Sequence, residues 1–182
     1  MIRLLIWIVG GLLLGGIVHL TSVLLMPRAA TQDAYSRLAP TTQTNRFTLL
    51  PIPAAGVATL PFMDPAFAVA VCRYDLGSGA LKLRAPVSQA YTAVSFYTRQ
   101  GIAYYAINDR AAGRRLIELD LMTTQQRSQI QEDEEVTAAD RLIVESPTPT
   151  GLIVLRALAP EPSMIPVVRA VLGAAQCRTE TQ

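Results

Sequence analysis

Few residues in this 182-residue sequence could carry out acid–base or nucleophilic chemistry. The single histidine, His19, lies inside an uncharged apolar run near the N-terminus, so the rest of the chain contains none. This distribution excludes a Ser–His–Asp triad, a Cys–His pair and any zinc site built with histidine. The two cysteines, Cys72 and Cys177, are too far apart for a metal motif, and no phosphate-binding glycine loop or Gly-x-Ser-x-Gly sequence occurs. We therefore expect no catalytic triad, no metal and no cofactor.

The carboxylates are the remaining candidates for catalysis. Asp75 and Asp109 each follow an apolar run and could converge as the acid–base pair of a hydrolase. Aspartates at strand ends more commonly form turns, because the side chain bonds nearby backbone. The run Glu132–Glu135 (EDEE) lacks the spacing of a calcium loop and is typical of a solvated helix end. We assign no catalytic residue, and a carboxylate hydrolase is kept as a remote alternative to a non-catalytic protein.

The charge of the chain does not indicate a nucleic-acid partner. The net charge is +2, and the largest basic cluster, formed by Arg110, Arg114 and Arg115, has three members. Together with Asp109, these arginines follow the run that ends in Asn108. We interpret Asn108–Arg110 first as the exit of a strand and second as part of a contact surface.

The longest apolar run predicts a membrane anchor. Residues 4–26 (LLIWIVGGLLLGGIVHLTSVLLM) contain no formal charge, and as a helix they would span about 34 Å, enough for a hydrocarbon core of about 30 Å. A secretory signal peptide would have a shorter apolar region and a small-x-small cleavage site, whereas Arg28 occupies the first position of the nearest candidate. We predict an uncleaved anchor at residues 1–27.

The orientation of this anchor depends on few charges. Arg3 lies on one side, and Arg28 and Arg37 lie on the other, so the positive-inside count is nearly balanced. A signal-anchor usually exports the chain that follows it. We expect the N-terminus in the cytoplasm and the domain in the periplasm, with the helix in the bacterial inner membrane.

Two glycines four positions apart could form a helix-helix contact within the bilayer. Gly11 and Gly15 share one face of the helix, and Trp7 and His19 continue the same row. A partner helix could approach the glycines closely, and His19 could donate a hydrogen bond to it. Alternatively, the glycines are ordinary for a membrane helix and His19 lies near the interface. Both interpretations stay open.

Beyond the anchor we predict a proline-rich stem at residues 28–60 and a β-rich domain at residues 61–182. Prolines make a long helix improbable in the stem, although residues 29–38 could form one or two turns. In the domain, alternating runs such as Leu81–Ala85 and Ile117–Leu121 predict half-buried strands. A short helix capped by Thr124 and a closing helix over Glu161–Cys177 complete the pattern. Six or seven strands predict a mainly antiparallel α+β domain, as a sandwich or partly open barrel.

The two cysteines could join distant parts of this domain. Cys72 lies in the first predicted strand and Cys177 at the end of the last predicted helix. In an oxidising compartment a disulfide over so long a loop would contribute about 4 to 5 kcal/mol by the chain-entropy argument. Two buried thiols are the alternative.

Four tyrosines support an alternative function. Tyr91, Tyr97, Tyr104 and Tyr105 lie in one predicted hairpin, where alternation would send some of them towards solvent or a cavity. They could surround the mouth of a small apolar-ligand site, or simply pack on the sheet surface.

Several segments resemble a known bacterial envelope family. These are PFMDPAFAVAVCRYDL at 61–76, YTAVSFYTRQGIAYYAINDRAA at 91–112, QQRSQIQEDEE at 125–135 and SPTPTGLIVLRAL at 146–158. They resemble the short membrane-anchored form of the family called domain of unknown function twelve fifty-four. The resemblance implies a β-rich fold and pairing with a second domain, twelve fourteen, which this sequence lacks. It carries over no catalytic residue.

The sequence therefore favours a single-pass inner-membrane protein that acts as an interaction or accessory subunit. Its partners would be the lipid bilayer and a second membrane-anchored envelope protein, which the resemblance suggests carries the domain twelve fourteen.

Overall fold

The computed structural model describes residues 1–29, 33–54, 56, 58–112, 115–129 and 142–179. The chain divides into two compact units, Met1–Asp33 and Ala34–Gln182. Helix α1 (Ile2–Ala29) makes up most of the first unit. Its segment Ile2–Met26 has a mean hydropathy of 2.1 and is long enough to cross a membrane. An apolar helix of this kind at the N-terminus fits a single-pass anchor or a signal sequence.

The second unit is built from two β-sheets. Its elements in chain order are α2 (Ala34–Leu38), β1 (Phe47–Leu49), β2 (Phe67–Asp75), β3 (Leu81–Pro86), β4 (Thr92–Thr98), β5 (Ala103–Asn108), a 3-10 turn (Asp109–Ala111), β6 (Leu116–Thr123), α3 (Thr124–Arg127), β7 (Leu142–Ser146), β8 (Thr150–Leu158), a second 3-10 turn (Pro162–Met164), α4 (Ile165–Gly173) and β9 (Gln176–Thr179). Sheet 1 has the order β1-β2-β8-β4-β5, and sheet 2 has the order β7-β6-β3-β9. Among the described strands, every pair is antiparallel except β6–β7, which is parallel. The predicted α+β sandwich is confirmed, and the sheets do not close into a barrel.

Alternating apolar residues bury one face of each sheet in a shared core. In sheet 2, Leu81, Leu83 and Ala85 of β3 are buried, as are the alternating residues Ile117, Leu119 and Leu121 of β6. On the opposite face Arg84 forms an ion pair with Glu118 of the neighbouring strand. This arrangement confirms the half-buried strands that the sequence pattern predicted.

The disulfide joins the two sheets. Cys72 in β2 of sheet 1 is bonded to Cys177 in β9 of sheet 2, and both side chains are buried in the core. The structure therefore contains the disulfide rather than two free thiols.

The closing helix is shorter than the sequence predicted. Helix α4 ends at Gly173, and the chain then forms β9, so Cys177 lies in a strand rather than at a helix end. The apolar spacing that predicts a helix continues to Ala175, but Gln176–Thr179 pairs with β3 and fills the edge of sheet 2. The pairing satisfies backbone groups that a frayed helix end would leave exposed.

The cap of α3 is Thr123 rather than Thr124. The Thr123 hydroxyl accepts a hydrogen bond from the Gln126 backbone N–H at 3.2 Å, and the Gln126 side chain accepts one from the Thr123 N–H at 2.9 Å. Strand β6 runs up to Thr123, so this residue has the extended backbone that a cap requires. The predicted acidic end of this helix, Glu132–Glu135, lies outside the described residues.

The proline-rich segment contributes to the second unit. Strand β1 pairs with β2 at the edge of sheet 1. Leu38 of α2 and Leu50 after β1 are buried with Val71 and Leu152, which lie on the face of sheet 1 turned away from the main core. We call this second core, with the partly buried side chains around it, the outer cluster.

Candidate interaction site at strand β5

A surface groove of about 560 Å³ lies along strand β5. It is lined from several directions by Tyr91, Ala93, Ser95, Tyr105, Ala106, Ile107, Asn108, Ala111, Leu142 and Arg156. Strand β5 is the last strand of sheet 1 among the described residues. The groove therefore borders a sheet edge at which a further strand could add.

The register leaves part of the β5 backbone without a partner. The backbone N–H of Leu158 donates a hydrogen bond to Tyr91 O, just before β4, at 2.8 Å. Hydrogen-bonded pairs alternate along antiparallel strands, so every second residue after Tyr91, including Ser95, directs its backbone N–H and C=O towards β8. Ala106 lies opposite Ser95 in the β4–β5 register, so its backbone N–H and C=O point away from β4. No described residue forms a hydrogen bond to them. Unpaired groups of this kind are available to a strand from another chain.

Arg156 brings a positive charge to the groove. It lies in β8, opposite Ala93 of β4 and Val69 of β2, on the same side of the sheet as the outer cluster. The side chain is exposed and makes no ion pair or hydrogen bond with the described residues. An unpaired guanidinium beside an open sheet edge is suited to a carboxylate on an incoming chain.

Two of the predicted contact residues, Asp109 and Arg110, directly follow the end of the same strand. Asn108 accepts a hydrogen bond from Arg110 N–H at 3.1 Å and caps the 3-10 turn, as expected for a strand exit. Asp109 accepts a long hydrogen bond from Thr92 N–H at 3.4 Å. Arg115, just before β6, donates a hydrogen bond to Ser88 O at 3.1 Å and so contacts the β3–β4 connection. Arg114 lies outside the described residues.

The two candidate catalytic aspartates do not meet. Asp75 is opposite Thr150 at the start of β8. Asp109 accepts a hydrogen bond from Thr92, and Thr92 is opposite Ala157 near the end of β8. Thr150 and Ala157 are seven positions apart in β8, which corresponds to about 23 Å along the strand. Asp75 instead accepts a hydrogen bond from Gly77 N–H at 2.9 Å and forms a turn. The arrangement gives no acid–base pair.

The four tyrosines do not surround one cavity. Tyr91 and Tyr105 line the groove, whereas Tyr97 packs in the outer cluster. A register shift at Phe96 and Tyr97 breaks the β4–β5 alternation, so Tyr104 and Tyr105 both pack against Phe96 in the core. The expected alternation between two faces is wrong at this point, because one extra residue in a strand returns the next side chain to the same face.

A buried chain of hydroxyl groups was not visible in the sequence. Tyr104 donates a hydrogen bond to the Tyr74 hydroxyl at 3.1 Å, and Tyr74 in turn bonds the Ser146 hydroxyl at 2.9 Å. Burial raises the pKa of Tyr104 well above its usual range; a hydrogen bond with Ser146 opposes this rise and one with Tyr74 adds to it. A phenol held neutral in this way is a poor base or nucleophile at pH 7. The partners lie 30 and 72 residues apart, so no local pattern indicates them.

Two other predicted sites can be placed on the structure. In α1, Trp7, Gly11, Gly15 and His19 are exposed, and no atom of the described residues lies within 4 Å of a Cβ added at either glycine. Among the described residues there is no group of three or more histidine, cysteine, aspartate or glutamate side chains that could hold a metal ion.

Comparison with known proteins establishes the fold alone. No protein-family model and no curated protein matches the chain. The chain is similar to the crystal structure of the VPA0106 protein from Vibrio parahaemolyticus, with a TM-score of 0.58 and 12% identity over 80% of this chain and 34% of that one. It is also similar to an uncharacterised protein from Burkholderia cenocepacia, with a TM-score of 0.50 and 11% identity over 80% of this chain and 36% of that one. The chain thus spans about a third of the length of these structures.

Proposed function

We propose that the protein is a membrane-anchored accessory subunit whose second unit, Ala34–Gln182, here called the β unit, binds an extended segment of another envelope protein along strand β5. The observation that carries the proposal is the outward-pointing backbone of Ala106 beside a groove whose Arg156 forms no ion pair with the part of the chain that the structure describes. Backbone hydrogen bonds from an added strand supply affinity, and the groove and its charge supply specificity. The preferred segment carries a carboxylate that pairs with Arg156.

The comparisons and the disulfide support parts of this proposal. In the two similar structures the matching fold is about a third of a longer chain, so it occurs joined to further protein. The resemblance to domain of unknown function twelve fifty-four suggests that the partner carries the domain twelve fourteen. The Cys72–Cys177 disulfide fits an oxidising compartment, which supports a periplasmic β unit and a cytoplasmic N-terminus.

The shape of the groove is less suited to a small apolar ligand. Ligand sites usually bury most of the ligand surface in an apolar cavity, whereas this groove lies at an exposed sheet edge and includes Arg156, Asn108 and Ser95. The apolar-ligand module is therefore the second candidate, and it predicts a co-purifying small molecule without a stoichiometric protein partner.

The proposal is tested by purifying the full chain from native membranes and identifying bound proteins by mass spectrometry. We expect a stoichiometric partner whose recovery falls about tenfold or more with Arg156→Glu, because the charge reversal repels the partner's carboxylate. Ala106→Pro should reduce recovery similarly, because it removes an outward N–H while edge strands tolerate proline.

The matched control is Arg178→Glu. It makes the same charge change at an exposed position of β9 in sheet 2, away from the groove that Arg156 lines in sheet 1. Recovery of the partner should be unchanged. Equal recovery from wild type, Arg156→Glu and Ala106→Pro would contradict docking at β5.

A further inference from the structure

The segment between β1 and β2 presents apolar side chains on the surface. From Phe47 to Met63 it contains no formally charged residue. Phe62 is completely exposed, at 102% of its reference area, and Ile52 is 49% exposed. Exposed single apolar residues are common, but an aromatic side chain held wholly in solvent within an uncharged segment is not.

The backbone fixes Phe62 in this outward position. Its φ is +61°, a left-handed conformation that is unfavourable for a bulky L-residue. Its neighbours Leu60 and Met63 pack in the outer cluster, and Pro61 restricts the chain between them. The residues that flank Phe62 therefore pack in the outer cluster, whereas its own ring points into solvent. The left-handed backbone at Phe62 makes this arrangement cost conformational free energy. Ile52 lies two residues after Leu50 of the same cluster, so the packing of Leu50 also restricts the position of the backbone at Ile52.

The same cluster includes the beginning of the β unit. Ala34, Tyr35 and Leu38 of α2 pack in it alongside Leu60 and Met63. In the sequence only four residues separate the end of α1 from Ala34. The part of the β unit that packs in the outer cluster therefore follows α1 closely in sequence.

We propose that Phe62 and Ile52 insert into the headgroup and upper acyl region of the bilayer and seat the β unit on the membrane. Apolar and aromatic side chains at a membrane surface bind by burying their area at the boundary of headgroups and acyl chains. The uncharged segment avoids the cost of desolvating ions there. This inference goes beyond partner binding at β5 and rests only on the membrane anchor of the proposed function.

The test uses tryptophan fluorescence of the full chain in phosphatidylethanolamine–phosphatidylglycerol vesicles, with and without brominated acyl chains. The natural sequence has one tryptophan, Trp7 in α1, so Trp7→Phe provides a silent background. In that background, Phe62→Trp should show blue-shifted emission that brominated lipid quenches about twofold or more. The matched control is Gln176→Trp, exposed on β9 of sheet 2, whose emission should stay unquenched.

Each outcome has a distinct meaning. Unquenched, red-shifted emission from Trp at position 62, with Trp7 of the wild type quenched, overturns the lipid contact and leaves the anchor standing. If Trp7 is also unquenched, the anchor and the lipid contact fail together. A blue shift at position 62 that requires added membrane extract, without quenching by brominated lipid, assigns the residue to a protein partner and overturns the proposal.

A further variant separates lipid contact from folding. Phe62→Asn should not lower the melting temperature, because asparagine tolerates the left-handed backbone and no buried contact is lost. With Ile52→Trp as the reporter, however, Phe62→Asn should reduce quenching by brominated lipid about twofold. Undiminished quenching would overturn the contribution of Phe62.

Discussion

The hydroxyl group of Tyr104 has a structural role that substitution can measure. Tyr104→Phe keeps the ring against Phe96 and leaves Tyr74 with Ser146 as a partner, but it removes the hydrogen bond between the two phenols. We expect the free energy of unfolding at pH 7 to fall by about 1 kcal/mol. Chemical denaturation of the full chain in detergent measures this difference in the free energy of unfolding between the variant and wild type.

The same variant should change how stability depends on alkaline pH. Because the pKa of Tyr104 is raised on folding, above an unfolded value of about 10, its contribution is fully present below pH 10. The contribution is lost as the pH rises above 10 towards the folded pKa, since the unfolded chain releases the proton first. Tyr104→Phe should therefore lose stability less steeply above pH 10, and parallel pH profiles for both proteins would contradict this role.

At the scale of single residues, the sequence predicts those contacts that a side chain makes with residues close to it in the chain. The strand exit at Asn108–Arg110 is an example, because Asn108 caps the turn through the backbone of Arg110 two positions away. The contact of Tyr74 with Ser146 is not predictable in this way, since it depends on strands far apart in sequence. The position of Tyr104 also depends on a register shift that no local alternation reveals.

At the scale of elements, the disulfide is expected to hold the short strand β9 against the sandwich. It closes a separation of 105 residues between β2 and β9, which the chain-entropy argument values at about 4 to 5 kcal/mol. Cys72→Ala with Cys177→Ala, chosen to avoid buried hydroxyl groups, should lower the free energy of unfolding by up to about this amount. Denaturant titrations with and without reductant measure it.

The reductant provides the internal control for this prediction. Wild type should lose stability when reduced, whereas the double variant should be insensitive to reductant. If wild type has the same free energy of unfolding with and without reductant, the disulfide does not contribute as expected.

Elements with regular alternation could be predicted, and short edge strands could not. Strands β3 and β6 bury every second residue, so their pattern is visible without the rest of the fold. Strands β1 and β9 have three and four residues, too few to show a period. Both are held by pairing with a longer strand, and in β9 also by Cys177. The helical spacing of apolar residues before β9 therefore predicts a longer helix than the structure contains.

At the scale of the whole molecule, the sandwich could be predicted but its strand order could not. Strand β8 lies between β2 and β4 in sheet 1, and β7 pairs in parallel with β6. These pairings join residues that are distant in sequence, and they depend on which strand faces pack in the shared core. The groove at β5 follows from that order, because it makes β5 an edge, and so this candidate site was not predictable from the sequence. Three of the residues that line the groove, Tyr91, Tyr105 and Asn108, stand out in the sequence, but the sheet edge that brings them together does not.

The glycine face of α1 makes the last prediction, which concerns the assembled protein. Within α1, no atom lies within 4 Å of a Cβ added at Gly11 or Gly15, so Gly11→Leu and Gly15→Leu create no clash within this helix. If a partner helix packs on these glycines, leucine separates the backbones and removes their close contact. We expect recovery of the partner in mild detergent to fall about tenfold for the double variant.

The control for this prediction places bulk on the opposite face of the same helix. Leu13 lies about 200° around the axis from either glycine, so Leu13→Phe adds volume away from the expected contact. It should leave recovery unchanged. Because β5 and α1 belong to different units, Arg156→Glu and the glycine variants should each weaken the complex, and their free-energy effects should add. Unchanged recovery with both leucines in place would remove the helix contact and leave docking at β5 as the sole basis of the complex.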